Sequence, residues 1–483
     1  MHLPSFEIEI ILEIFSVLFL PFISDSFVSY PSFSNIAFFL PAFVYLFANP
    51  KEKCFYEPLL WLSSFPFAIL CIGFGRDSAL FHEMYMVCFY NAALALSLKF
   101  SFFSYLLKGL QTGSVPLELH VTIMNAFIEI TKNSFTFIEV VLISTGLSSV
   151  AYATFLNEAG PLVSVLAGVL LVSVPSLVLL NSCLLKTCSR CKLTKEKSSL
   201  LVYAASTFVV IFVSRFWVSK RIQQKPEYWV FAQIFLSPYS KKRITILIWW
   251  VLCLSCYIGF VVCSHNGSFF RYYFGTKGEL LNFRRKTYHA LIVFMFLPTY
   301  CTDPYFVHLA FSGVLFLFLF IEGIRVLRLE PFGEMIHKFL WQYTDNRDHR
   351  GPLIISHIYL LIGCAIPVWF SHALRGPVAS AELLVGVLCL GCGDSMASII
   401  GKKYGRFRIR RTKKTLEGTF AFSASVFMVL QLAQRLHICP HVSLKNTLAM
   451  SVFTAMLEGV SLENDNLILP MYMWVLYRAL ENT

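Results

Sequence analysis

The sequence predicts an all-α fold, a polytopic transmembrane helical bundle, from its composition and from the length of its apolar runs. Of the 483 residues, 57% are hydrophobic and only 14% are charged, and the mean hydropathy is +0.65. An ordinary soluble domain carries about 25% charged residues. The apolar runs are separated by short loops, so we expect about 13–15 membrane spans and no separate soluble domain.

The net charge of +12 lies mostly in the short loops between apolar runs. This distribution is typical of the positive-inside rule and of contact with anionic lipid. A nucleic-acid-binding protein of this charge would carry its cations on a water-soluble domain. We therefore expect membrane lipids as partners and no nucleic acid.

Chemistry-bearing residues are distributed unevenly along the chain. Residues 1–279 are interpreted as an N-terminal multi-spanning region, in which the polar residues are scattered. Residues 280–483 contain clustered charged and glycine-rich motifs. We predict that this second region holds the functional site.

The first cluster of the C-terminal region surrounds two apolar runs. Arg285, Lys286 and His289 precede one run, either as part of a site or as a positive-inside anchor. Glu322 and Arg325 stand three residues apart and predict an intrahelical ion pair. In the loop before the next run, Asp345 and Asp348 with His357 suggest either a cation site or a solvated loop.

The stretch 383–419 begins with an apolar run that carries a single carboxylate, Asp394. An ionisable group inside a membrane segment is expensive and suggests function. Steps of three and four residues would place one set of small or polar residues on one helical stripe. Such a stripe fits either a ligand or a helix-packing face. The stripe comprises Gly391, Asp394, Ser398, Gly401 and Gly405.

A basic loop follows and ends at Glu417-Gly418-Thr419, where another apolar run begins. By itself the loop fits a topology signal or an anionic-lipid contact. Together with Asp394 and the glycines it matches the needs of a magnesium nucleotide, because the carboxylate suits the metal and the cations suit phosphate. The loop carries eight cations, Lys402, Lys403, Arg406, Arg408, Arg410, Arg411, Lys413 and Lys414.

Three further polar residues, Glu458, Asp465 and Asn466, lie between the last apolar runs. Glu458 and Asp465 are seven residues apart, two turns on one face if the helix continues. They would then bring carboxylates toward a metal shared with Asp394. The alternative is a short polar turn.

These motifs resemble the CTP-binding region of the dolichol kinase family. The resemblance rests on G-x-G-D-S-M-A-S-I-I-G-x-x-x-G at 391–405 and T-K-K-T-L-E-G-T at 412–419. It extends to R-K-T-Y-H at 285–289, D-N-R-D-x-x-G-P-L at 345–353, S-H-I-Y-L-L at 356–361 and E-N-D-N-L-I-L-P at 463–470. The similar region covers about 280–475, and related phosphatidate cytidylyltransferases share its central elements.

The resemblance implies phosphoryl transfer from CTP to dolichol or another polyprenol, with Mg²⁺ or another divalent cation. It also implies a multi-pass protein of the endoplasmic reticulum membrane, with the CTP site facing the cytoplasm. The product, dolichyl phosphate, would serve N-glycosylation, mannosylation and GPI-anchor synthesis. Self-association is left open. The sequence contains no Walker or protein-kinase motif, so a kinase activity requires another kind of site.

The roles expected from the resemblance fall into four sets. The catalytic set is Asp394, Lys413, Lys414 and Glu417. The metal set is Asp394 and Asp465. The nucleotide-binding set is Gly391, Gly393, Ser398, Gly401, Lys402, Gly405, Thr415, Gly418 and Thr419. The auxiliary set is Arg285, Lys286, His289, Asp345, Asp348, His357, Glu458, Asp465 and Asn466.

Two alternatives to a lipid kinase stay open. One is a CTP-dependent cytidylyltransferase that makes a CDP-lipid and releases pyrophosphate instead of CDP. The other is a membrane transporter whose basic loop binds anionic lipid. A transporter would be expected to show paired internal repeats with broken helices, and no repeat of the Asp394 stretch is found in the first half of the chain.

Overall fold

The structure, a computed structural model, describes 115–132, 134–155, 160–266, 277–341, 344, 348–409, 412, 414–481 and six positions between 84 and 94. Two predicted site residues, Asp345 and Lys413, lie outside the described residues. Within the described part, regular structure is helical, apart from one isolated antiparallel bridge between Arg408 and Thr415.

The helices of the described part are numbered in chain order. They are α1 Val115–Thr131, α2 Phe137–Phe155, α3 Pro161–Arg190, α4 Lys195–Ile222, α5 Pro226–Phe231 with its π-helical continuation Ala232–Leu236, α6 Ser240–Asn266, α7 Lys277–Phe296, α8 Pro304–Val326, α9 Gly333–Trp341, α10 Ser356–Arg375, α11 Ala381–Tyr404, α12 Leu416–Arg435, α13 Leu444–Val460 and α14 Asp465–Glu481.

Seven of the described helical segments are long and apolar enough to cross a membrane. They lie in α3, α4, α6, α8, α10, α11 and α12. The predicted all-α polytopic membrane fold is thereby confirmed. The expected number of about 13–15 spans includes segments outside the described residues and stays a prediction.

The chain divides into two compact units. One unit contains Thr154–Ile362 and Pro377–Ala379, and so holds α3 to α9 with the first turns of α10. Its helix α8 begins at a clear signal, because Asp303 accepts a hydrogen bond from the amide of Phe306 at 2.9 Å and Pro304 follows. Asp303 also pairs with buried Arg243 at 2.7 Å.

The same unit confirms the predicted intrahelical pair of α8. The Arg325 guanidinium donates to both carboxylate oxygens of Glu322, at 2.7 and 2.6 Å. Glu322 also accepts from the amide of Ile354 at 2.6 Å, which ties the segment before α10 to α8. The pair is buried, so its polar groups satisfy one another inside the unit.

The other unit contains α1, α2, the remainder of α10 and α11 to α14. Its helices α10 and α11 approach closely at two glycines. A Cβ on Gly386 would lie 2.5 Å from the carbonyl oxygen of Gly363. The residue four positions after Gly363 is Pro367, which has no N–H to donate to that carbonyl. Small residues at such crossings let backbones meet in a membrane protein.

Helix α11 is not a straight α-helix along its length. Residues Leu388–Gly393 form a π-helical turn, and the α-helix resumes at Asp394. Gly405 follows the helix end in an extended conformation. The predicted five-residue stripe is therefore wrong at its two ends, because Gly391 lies in the π turn and Gly405 lies beyond the helix.

Candidate functional site

The ammonium group of Lys414 is the point at which three segments meet. It lies 3.0 and 3.1 Å from the two carboxylate oxygens of Asp465, and 3.2 Å from Oε1 of Glu458. It also donates to the main-chain oxygen of Glu458 at 2.6 Å. The basic loop, the end of α13 and the start of α14 thus share one cation.

The sequence spacing would place Glu458 and Asp465 on one helical face only if a single helix contained both residues, and it does not. Helix α13 ends at Val460, and α14 begins at Asp465 after a short turn. The two carboxylates nevertheless meet, because both contact Lys414 from the two sides of that turn.

Lys414 stays positively charged in this setting. Burial lowers the affinity of an amine for its proton, but the carboxylates of Asp465 and Glu458 outweigh that effect and raise the pKa of Lys414 above its usual value. The lysine thus neutralises part of the negative charge gathered by the turn between α13 and α14.

The two carboxylate oxygens of Glu458 differ in their contacts. Its side chain is only 6% exposed, and its Oε2 is buried with no hydrogen-bond partner among the described residues. Asp394 lies near enough for its charge to act on Glu458. A buried carboxylate oxygen without a donor is costly, and a bound cation would relieve that cost.

The backbone of the basic loop is fixed on both sides of Lys414. The Ile409 amide donates to the carbonyl of Lys414 at 2.9 Å, and the Leu416 amide donates to the carbonyl of Phe407 at 2.9 Å. The Thr412 hydroxyl donates to the carbonyl of Gly459 at 2.9 Å. These bonds hold the described part of the loop against the end of α13, where Glu458 lies.

Three of the predicted nucleotide-binding glycines pack around Thr415. A Cβ on Gly401 would lie 2.8 Å from the Thr415 hydroxyl oxygen, and one on Gly405 would lie 2.6 Å from its methyl carbon. A Cβ on Gly418 would lie 2.9 Å from the carbonyl of Ala397. The helix-packing alternative therefore describes these glycines, and their contact with nucleotide stays a prediction.

Thr415 and Glu417 organise the start of α12. The Thr415 hydroxyl accepts the amide of Gly418 at 3.2 Å and so caps the helix. Glu417 accepts the amides of Arg406 and Phe407 at 2.8 and 3.2 Å. In this geometry Glu417 orders the entry to the basic loop, and its predicted catalytic role stays untested.

The remaining predicted residues of α11 and α12 lie around the same helix pair. Gly393 lies beneath the ring of Phe422, which a Cβ would approach to 2.6 Å. The Thr419 hydroxyl donates to the carbonyl of Thr415 at 3.3 Å, and Gly459 packs against Thr419. The structure places Gly391, Asp394, Ser398 and Lys402 on α11 itself.

Several auxiliary residues belong to the other compact unit. They are Arg285, Lys286, His289, Asp348 and His357. Asp348 accepts the amides of Ile355 and Ser356 at 3.0 and 3.1 Å, and the Ser356 hydroxyl at 2.7 Å, so it secures the start of α10. This contact set gives Asp348 a structural role at the start of α10, and its predicted auxiliary role stays a prediction.

The sequence analysis missed two residues connected to the Lys414 cluster. Asn464 caps α14 by accepting the amide of Asn466 at 3.1 Å, and it donates to Glu139 of α2 at 3.2 Å. The signal for Glu139 was the sequence Thr136-x-x-Glu139, which is the pattern of a helix capping box. Nothing local in the sequence connects that box to residue 464.

The described residues contain no group of three or more His, Cys, Asp or Glu side chains arranged to hold a metal by themselves. Mg²⁺ commonly binds through only one or two carboxylates together with substrate phosphates and water. Glu458 and Asp394 fit that pattern because they supply carboxylates without a complete protein cage.

Curated proteins similar to this chain share one name. The chain is 60% identical over 473 residues to the dolichol kinase sec59 of Schizosaccharomyces pombe, covering 98% of this chain and 94% of that protein. It is 41% identical over 198 residues to the dolichol kinase of Saccharomyces cerevisiae, covering 40% of this chain and 36% of that protein. The human dolichol kinase is 32% identical over 276 residues, or 54% of this chain and 49% of that protein. No family model and no solved structure matches the chain.

Proposed function

Because this chain belongs to the dolichol kinase family, we propose that it transfers the terminal phosphoryl group of CTP to the hydroxyl of dolichol. It is a phosphotransferase that acts on dolichol. In the proposed reaction CTP is the donor, and dolichyl phosphate and CDP are the products. The product then serves as the lipid carrier for N-glycosylation, mannosylation and GPI-anchor synthesis.

The observation that carries the assignment of the site is the meeting of Lys414, Glu458 and Asp465. Phosphoryl transfer depends mainly on positioning and on neutralising negative charge. The cluster supplies fixed charges of both signs beside a basic loop, in the region that matches the family's shared motifs. Apolar helices of the same unit suit a polyprenyl substrate that stays in the lipid phase.

The contacts of Lys414 indicate that it has a different role from Lys413. The ammonium of Lys414 has three hydrogens, but four oxygens from two residues surround it. We assign Lys414 to holding Glu458 and Asp465 in place. Lys413, outside the described residues, is assigned to phosphate contact together with Lys402 of α11.

The carboxylates divide in the same way. Both oxygens of Asp465 contact Lys414, whereas Oε2 of Glu458 has no partner in the described part of the chain. We therefore assign Glu458 and Asp394 to the divalent cation, with Asp465 as their support. When bound, Mg²⁺ would neutralise charge on the phosphate oxygens. A general-base role toward the dolichol hydroxyl is the second assignment for Asp394.

The reaction type is tested with purified full-length protein in detergent, dolichol and CTP labelled on either the γ- or the α-phosphate. A kinase places the γ-label on dolichol and releases CDP. A cytidylyltransferase given phosphatidate would place the α-label on lipid and release pyrophosphate. Turnover of phosphatidate with dolichol left unlabelled would overturn the proposal.

The site assignment predicts that Asp394→Asn and Glu458→Gln each abolish most turnover. Loss of one preorganised electrostatic contact costs about 3–4 kcal/mol, or roughly a hundred- to thousand-fold in rate. Lys445→Gln is the matched control, because Lys445 is an exposed cation on α13. Rates are compared at equal amounts of folded protein, and near wild-type turnover in Asp394→Asn would remove that residue from the site.

We also propose that the protein resides in the endoplasmic reticulum membrane with the basic loop facing the cytoplasm, where CTP is supplied. Arg408 is exposed and serves as the reporter position. In sealed microsomes, a membrane-impermeant thiol reagent should label Arg408→Cys above the level of the unmodified chain. Labelling only after the vesicles are opened would place the loop in the lumen.

A further inference from the structure

Glu139 takes part in the cap at the start of α2. Its amide donates to the Thr136 hydroxyl at 3.3 Å, and its Oε2 accepts the Thr136 amide at 2.7 Å. This reciprocal pair is a capping box at the start of α2. Unlike a typical solvent-exposed glutamate, Glu139 is buried, with 6% of its surface accessible. A buried carboxylate needs a further partner.

The further partner is Asn464, 325 residues later in the chain. The Asn464 side-chain amide donates to Oε1 of Glu139 at 3.2 Å. The other end of that amide accepts the Asn466 amide at 3.1 Å, and the Asn464 carbonyl accepts the amides of Leu467 and Ile468 at 3.0 Å. Asn464 is therefore held by Glu139 on one side and by the first turn of α14 on the other.

Asp465 is the next residue, and its carboxylate contacts Lys414. Because Asn464 and Asp465 are adjacent, the orientation of one peptide affects both. A continuous set of contacts thus joins the start of α2 to the cation that gathers Glu458 and Asp465.

We propose that Glu139 is a positioning residue for phosphoryl transfer, acting through Asn464 on the Lys414 cluster. This inference rests on the proposed function of that cluster. It gives the N-terminal region an indirect part in the reaction, although the sequence of that region contains only scattered polar residues. Glu139 contacts neither nucleotide nor metal in this scheme.

A polarity exchange tests the contact. Glu139→Gln can accept from Asn464 or from the Thr136 amide through its single oxygen, but not from both. Asn464→Asp places a second buried carboxylate opposite Glu139. In the double variant, the new glutamine side chain can donate to the new aspartate while its oxygen accepts the Thr136 amide. Both hydrogen bonds are then restored, and only the one between positions 139 and 464 has its donor and acceptor exchanged.

The expected result is a rise in the KM for CTP in Glu139→Gln, by roughly tenfold, the value of one hydrogen bond to a charged group. The KM for CTP should rise further in Asn464→Asp, and the double variant should return most of the way to the wild-type KM. Thr136→Val is the control, because it removes the hydroxyl that accepts the Glu139 amide but keeps the Thr136 amide bond and the Glu139–Asn464 contact. It should lower the melting temperature and leave the KM unchanged.

Two outcomes would overturn the inference. One is a Glu139→Gln variant with a lower melting temperature but wild-type KM and kcat, which is the signature of a brace for the fold alone. The other is a double variant no more active than Asn464→Asp. Lys414→Gln separates this from failure of the proposed function: wild-type activity in that variant would remove the cluster itself from the site.

Discussion

Two sets of helices in this protein are all long and apolar enough to cross a membrane, yet they differ sharply in burial. In α10 and α11, 72% and 67% of the apolar window is buried inside the protein. In α4 and α6 the corresponding shares are 17% and 11%. Hydrophobicity therefore identifies membrane helices without indicating which of them build a protein core.

Small residues at close backbone contacts account for much of the difference. Gly363 and Gly386 bring α10 and α11 together, with no room for a Cβ. On α6, a Cβ at Gly259 would meet nothing within 4 Å. On α4 the rings of Phe208, Phe212 and Phe216 stack on one another along an exposed face. Lipid is as apolar as a protein core, so packing, rather than hydrophobicity, separates the two sets.

The largest expected loss of stability lies in the unit that contains the sparsely packed helices α4 and α6. Asp303→Ala removes the acidic partner of Arg243, whose side chain is 4% exposed. Loss of one member of a buried ion pair costs about 3–5 kcal/mol. Glu227→Ala is the matched control, since its pair with Arg215 is exposed and such pairs contribute about 0–1 kcal/mol.

Thermal denaturation in detergent, followed by gel filtration, measures both variants. Asp303→Asn adds a second comparison, because asparagine can still accept the Phe306 amide as a cap. Equal melting temperatures for Asp303→Ala and Glu227→Ala would show that the Arg243–Asp303 pair does not stabilise this unit.

The second prediction concerns one glycine in each set of helices, Gly363 in α10 and Gly259 in α6. Gly363→Ala places a Cβ 2.1 Å from the Asn466 carbonyl oxygen. Because the contact is with backbone, we expect a loss of about 1–3 kcal/mol or more. Gly259→Ala should be neutral or gain up to about 1 kcal/mol, from the helix preference of alanine. Melting temperatures that fall equally would contradict the packing explanation.

The sequence predicted the helices and their nearest contacts well, because the signals for both are local. Apolar length predicted the helices, and the spacing of Glu322 and Arg325 predicted their ion pair. Glycine spacing indicated close contact, although the π turn at Leu388–Gly393 displaced Gly391 from the expected stripe. A π turn adds a residue that a regular periodicity does not anticipate.

The organisation of the candidate site was less predictable. The turn between α13 and α14 was readable in principle, since Asn464 before Asp465 is a helix-start signal. The convergence of Glu458 and Asp465 on Lys414 depends on how three segments fold together. The contact between Glu139 and Asn464 spans 325 positions, so no periodicity or motif in a single sequence could reveal it.

The smallest expected effect compares the cap of α12, which packs against α11 at Gly401 and Gly418, with the cap of α4. Thr415 caps α12 through the Gly418 amide at 3.2 Å and is buried, whereas Thr194 caps α4 through the Lys197 amide at 3.5 Å and is exposed. Thr→Val keeps the shape and removes the acceptor. At Thr415 the released amide is buried against Gly401, so water cannot replace the hydroxyl, and we expect a loss of about 1–2 kcal/mol.

At Thr194 water can reach the released amide, and the loss should be no more than about 0.5 kcal/mol. Melting temperatures of Thr415→Val and Thr194→Val in the same detergent measure the difference, and the KM for CTP gives an independent reading. Thr415 lies between Gly405 and Gly418 at the foot of the basic loop, so its loss should also weaken CTP use. Thr194→Val should leave the KM unchanged. A larger loss of stability at Thr194 would contradict this expectation, because α4 would then depend more on its exposed cap than α12 depends on its buried one.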